Sequence, residues 1–158
     1  MYKLLLVSDQ EDVLNAFAQI NNWELLGVKA PHIRYDFEGA KDSLAKHHAD
    51  GICIAVSPAE EENILDYLQG NFPNVSIFEA GHTEEEVLRY LSELKILLNR
   101  IHADFYNERS SNKDILQICR HEFFKKVING EIKSDKDLRR NMRLLRSRMD
   151  ADRPCLLI

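Results

Sequence analysis

Apolar residues follow two rhythms along this chain. Residues 3–7 and 52–56 are short, nearly continuous apolar runs, the pattern of strands buried on both faces. The stretch EDVLNAFAQI after the first run instead spaces Val13, Leu14, Phe17 and Ile20 at helical intervals. Its acidic start suits the positive end of a helix. Residues 36–47 repeat that spacing through Ala40, Leu44 and Ala45. Between these helices, Gly27-Val28-Lys29 opens an irregular stretch in which Pro31 disfavours helix and a second strand is expected. Pro58 stands at the first turn of a further helix carrying Ile64, Leu65 and Leu68, which Gly70 is expected to stop. Val75-Ser76-Ile77-Phe78 predicts a fourth strand. Alternation of this kind predicts a parallel sheet with helices on both faces.

After Gly81 the rhythm changes. A helix is predicted from Thr83 to about Tyr106, opened by a capping box of Thr83 with Glu86. Within it Val87, Leu91, Leu94, Leu98, Ile101 and Phe105 alternate by four and three, the spacing of a coiled-coil seam. Leu88 and Leu97 fall outside that seam, so one stripe can cover the sheet while the other meets a second copy. A parallel homodimer through residues 87–105 is therefore expected. Two further helices are predicted, 114–128 closed by Asn129-Gly130, and 135–149 after Ser134 as N-cap. The chain then ends on Pro154-Cys155-Leu156-Leu157-Ile158, which reads as the start of a strand in a truncated next domain.

With 158 residues, 44% of them hydrophobic and 30% charged, the chain can fill one core and is not a disordered sequence. No apolar run approaches the roughly 20 residues of a membrane span, and a cytoplasmic protein without a membrane partner is expected. Charge divides it. Residues 1–108 hold 8 Lys/Arg against 19 Asp/Glu, a net of −11, and residues 109–158 hold 13 against 7, a net of +6. The acidic part would repel nucleic-acid phosphates.

The segments KLLLVSDQED, NWELLGV and ADGICIAV together resemble the receiver domain of bacterial response regulators, NWELLGV being similar to receivers of AraC-type (YesN-like) transcriptional regulators. RHEFFKKVINGEI resembles the linker that precedes their middle domain. The resemblance implies a flavodoxin-like parallel sheet and a site in which acidic side chains hold magnesium beside a phosphoacceptor aspartate. Here the acidic pair is Ser8-Asp9, the phosphoacceptor position falls on Ala55, or on Val56 if the register slips by one, the following Thr/Ser position falls on Glu79, and the fifth strand with its lysine is missing. The fold is expected without the phosphorylation chemistry, leaving Ser8, Asp9 and Glu79 as a vestigial acidic site.

Other chemistry finds little purchase. Cys53, Cys119 and Cys155 are scattered without C-x-x-C spacing, and His47-His48, His82, His102 and His121 lack the spacing of a zinc helix, so no metal and no cofactor is expected. The six glycines form no phosphate-binding loop, and Ser57 lacks a nucleophile-elbow setting, so the chain is not read as an enzyme. Asp9, Asp36 and Glu79 are candidates to converge at the C-terminal edge of the sheet. In the basic segment DLRRNMRLLRSRMD, Leu138, Met142, Leu145 and Met149 make an apolar stripe, which favours a packed linker helix over a DNA-reading one.

The organisation expected is a receiver-like α/β domain over 1–82, a long dimerising helix over 83–106, a helical linker over 107–153, and the next domain beginning at 154–158. Its function is expected to be regulatory and phosphorylation-independent, controlling dimerisation of a C-terminal DNA-binding region outside this chain. A small-molecule or ion sensor at the sheet's C-terminal edge is the alternative. A conventional phosphorylated response regulator is the third reading, and no kinase partner is specified by the residues.

Overall fold

The computed structural model describes residues 1–103 and 112–147. Strands β1 (Leu4–Ser8), β2 (His32–Arg34), β3 (Gly51–Ala55) and β4 (Ser76–Phe78) form one parallel sheet in the order β2-β1-β3-β4. Six α-helices accompany it among the described residues: α1 (Glu11–Ala18), α2 (Phe37–Lys46), α3 (Pro58–Asn71), α4 (Glu84–Ala103), α5 (Asn112–Ile128) and α6 (Asp135–Leu144). This α/β arrangement is compatible with a flavodoxin-like fold. The strand order reverses between β1 and β3, which makes their C-terminal ends the switch point of the sheet.

Strand alternation sorts the apolar runs into two cores. Leu4, Leu6, Cys53 and Phe78 face α1 and α4, whereas Leu5, Val7, Ile52, Ile54 and Ile77 face Ala40, Leu44, Ile64 and Leu68 of α2 and α3. Both faces are covered, so the strands had no polar alternation to show. Burying each large side chain contributes about 1.5–3 kcal/mol.

Helix termini follow local chemistry. The Asp36 carboxylate accepts the Gly39 N–H at 2.7 Å, and the Ser134 hydroxyl accepts the Asp137 N–H at 3.4 Å. At the start of α4, Thr83 Oγ accepts the Glu86 N–H, but the Glu86 carboxylate takes the His82 N–H rather than that of Thr83. Gly130, at φ 69°, follows α5 as expected. Gly70 does not stop α3, which continues through Asn71. The stop comes at Phe72, because the residue before Pro73 is disfavoured in helical conformation.

The expected second strand begins only after Pro31, and Val28 makes an isolated bridge to Tyr2 instead. A 3-10 turn, Trp23–Leu26, and left-handed Gly27 precede it. Helix α6 ends at Leu144, five residues short of the expected Met149. Its end is fixed from outside the helix: Arg120 Nε donates to the Leu145 carbonyl at 2.7 Å, and left-handed Arg146 donates to the Val75 carbonyl at 3.2 Å.

The largest correction concerns α4. Val87, Leu91, Leu94, Leu98 and Ile101, expected to form a seam with a second copy, are buried in the chain's own core together with Tyr90 and Leu97. The reason is that α4 is covered twice, by the sheet and α1 on one side and by α5 on the other. Leu94 lies so close to β3 that a Cβ on Gly51 would sit 2.7 Å from its Cδ2. Ile115, Leu116, Cys119 and Phe123 of α5 and Met142 of α6 belong to the same core as the sheet, so the segment expected as a linker is packed on the α/β unit. Phe105, Met149 and residues 154–158 lie outside the described residues.

Candidate functional site

The C-terminal edge of the sheet is where the sequence places its acidic site. The two central strands end there in register, Ser8 opposite Ala55. Ser8 is fully buried, and its hydroxyl accepts the Gln10 N–H at 3.1 Å, turning the chain into α1. Asp9, next in sequence, is exposed. Ala55 is half-buried and packs against the α1/α4 core. One strand further, Cys53 pairs with Phe78, and half-buried Glu79 follows. Burial pushes the Cys53 thiol pKa well up, and the negative charge of Glu79 adds to the effect.

These groups do not assemble into a ligand shell. Asp36 is spent on the N-terminus of α2. Among the described residues no group of three or more His, Cys, Asp and Glu side chains is placed to hold a metal ion. Of the three candidates for convergence, Asp36 caps a helix and Asp9 is exposed to solvent.

The edge is instead laced by bonds between elements. Glu60 of α3 accepts the Phe37 N–H at the start of α2, at 2.7 Å. His82 Nδ1 lies 2.6 Å from Asp12 Oδ2, tying the segment before α4 to the first turn of α1. That bond, with the Val13 N–H, lowers the Asp12 pKa. The Glu86 carboxyl is lowered as well, principally by the His82 N–H. The Asp12–His82 pair was not found from the sequence, where His82 reads as a surface histidine. Its partners are 70 residues apart and no local spacing links them.

The basic helix α6 is paired rather than bare. Arg140 reaches Glu93 of α4 at 3.1 Å and Asp137 at 2.9 Å, Arg139 reaches Asp135 at 2.9 Å, and Arg143 reaches Glu61 of α3 at 2.6 Å. The acidic first part and the basic last part of the chain therefore meet within one molecule. A groove of about 560 Å³ lies between α4, α5 and α6, floored by Leu97, Cys119 and Phe123 and rimmed by the Arg100–Glu122 pair. No helix among the described residues is long and apolar enough to cross a membrane.

Comparison of the chain with protein-family models, with curated proteins and with solved structures gives no match.

Proposed function

We propose that this chain is a regulatory module of receiver type that works without accepting a phosphoryl group. One observation carries the reading: at the switch point of the parallel sheet, Ser8 and Ala55 face each other where phosphoacceptor chemistry needs carboxylates. A methyl group cannot attack a phosphoryl donor. Magnesium demands several hard oxygen ligands in near-octahedral array, and Ser8 already uses its hydroxyl to hold the turn into α1. Glu79, half-buried at the end of β4, adds a negative charge that opposes a phosphoryl group at this edge.

The packing of α4 between sheet and α5 supports a transmitting rather than a catalytic role, since this helix joins the strand ends to α5 and α6. The proposal includes self-association of the regulator, but assigns it to a surface other than the α4 stripe, which is occupied within the chain. DNA contact is assigned to none of the described residues, and the ion pairs of α6 with α3 and α4 support that assignment.

Incubation of the full chain with acetyl phosphate and magnesium, followed by intact-mass measurement, tests the reading. No acid-labile phosphoryl adduct is expected, and the melting temperature should not respond to magnesium, because only a ligand of the native state stabilises it. An adduct that disappears in acid refutes the proposal.

A further inference from the structure

The opposite, N-terminal end of the sheet carries a pocket of about 240 Å³. It is lined by Lys3 at the entry to β1, Lys29 and His32 flanking the approach to β2, and Ser43, His47 and His48 at the end of α2. His32 and His47 meet edge to face with ring centroids 5.1 Å apart. Neither lysine ammonium has an ion-pair partner among the described residues. In a segment whose net charge is −11, two of the eight Lys/Arg and three of the six histidines of the chain line this one pocket.

The nearby negative groups are already engaged. Asp50 accepts the Lys3 backbone N–H at 2.7 Å with one oxygen and pairs with His48 Nε2 at 2.9 Å with the other. Asp42, whose carboxyl feels His47 and Arg34, is held by Lys46 at 2.6 Å. Lys3 and Lys29 thus line an open volume without an ion-pair partner among the described residues, with His32 and His47 beside them.

We propose that this pocket binds a small phosphate-like oxyanion, with Lys3 and Lys29 as permanent charges and His32 and His47 as proton-dependent donors. Ammonium groups bind such anions as point charges, and imidazoles add two further N–H donors once protonated. Histidine is the side chain that gains charge between about pH 8 and pH 5, so binding strengthens as pH falls. The inference is independent of the phosphorylation reading, because the two sites lie at opposite ends of the strands.

Sulfate is the probe of choice, being a dianion throughout this range, so that any pH dependence belongs to the protein. Titration of the full chain, followed by backbone amide chemical shifts, should give saturable changes around Lys3, Lys29, His32 and His47. Affinity should fall at least about tenfold between about pH 5.8 and pH 8. Lys29→Gln and His47→Gln should each weaken binding about tenfold, and His121→Gln, a remote variant on α5, should not. Phenyl phosphate run beside inorganic phosphate separates the sources: tighter binding of one assigns the site to a monoester or to the free ion, and either result supports the proposal. Shifts that grow without saturation at about pH 5.8, wild-type affinity unchanged at about pH 8, or saturable shifts confined to other residues overturn it. The wild-type measurements keep the test decisive if a variant fails to fold.

Discussion

Truncating Leu94 to alanine distinguishes a core helix from a dimer seam. Leu94 is 1% exposed and lies directly on Gly51 of β3, a position with no side chain of its own to swing into the space. The neighbours on α4, Leu91 and Leu98, are pinned in the same core and cannot fill the gap without leaving their own contacts. Loss of the isobutyl group and incomplete collapse should cost about 3 kcal/mol. At a urea slope of about 2 kcal/mol/M, the unfolding midpoint should drop by about 1.5 M. Ile96→Ala on the same helix, at a residue 68% exposed, should cost under about 0.5 kcal/mol. Urea titrations by far-UV circular dichroism at two protein concentrations tenfold apart complete the assay. A side chain buried within one chain gives a midpoint independent of concentration. An obligate dimer held by this stripe would shift by about 1.4 kcal/mol per decade, or about 0.7 M. A concentration-dependent wild-type midpoint that Leu94→Ala abolishes would refute the intramolecular assignment of α4.

Four further outcomes are expected. Asp12 has a depressed pKa, so the stability from its bond to His82 is present above the unfolded carboxylate pKa and is lost as pH falls through the folded one. The stability gap between wild type and Asp12→Asn should therefore be largest well above that range and close in acid, read by thermal melts across pH. Cys53 is fully buried with its pKa pushed up, so it should resist a maleimide reagent in the native chain and react in denaturant, as peptide mapping by mass spectrometry will show. Gly81→Ala would put a Cβ 2.6 Å from the Val87 backbone nitrogen and should destabilise by about 1–3 kcal/mol or more, because helix backbone cannot yield as a side-chain end can. Gly70→Ala meets no atom within 4 Å inside α3 and should stabilise by up to about 1 kcal/mol, measured by the same urea titration.

The sequence by itself determined the strands and most helix starts. Continuous apolar runs at β1 and β3 could only be stable between two layers, and both are so placed. Pro58, Thr83, Ser134 and Gly130 act within one helical turn of their own positions, so their effect needed no knowledge of the rest of the chain. Gly70 misled because Pro73, just beyond it, sets the stronger constraint.

Which partner covers each apolar face was decided only by the tertiary structure. The four-three spacing of Val87 to Ile101 identifies an apolar stripe, and that stripe reads the same whether a second chain or the sheet lies over it. Packing α4 between the sheet and α5 spent it inside the molecule. The acidic edge failed to converge for a related reason: Asp36 found the Gly39 N–H and Asp9 found solvent before they found each other. The basic pocket at the far end was invisible in the chain because Lys3, Lys29 with His32, and His47 come from three segments joined only by the parallel register of β1 with β2 and the return of α2. Caps and turns are local energies that a sequence window contains, whereas the identity of a partner across the core depends on the closure of distant segments, which no window contains.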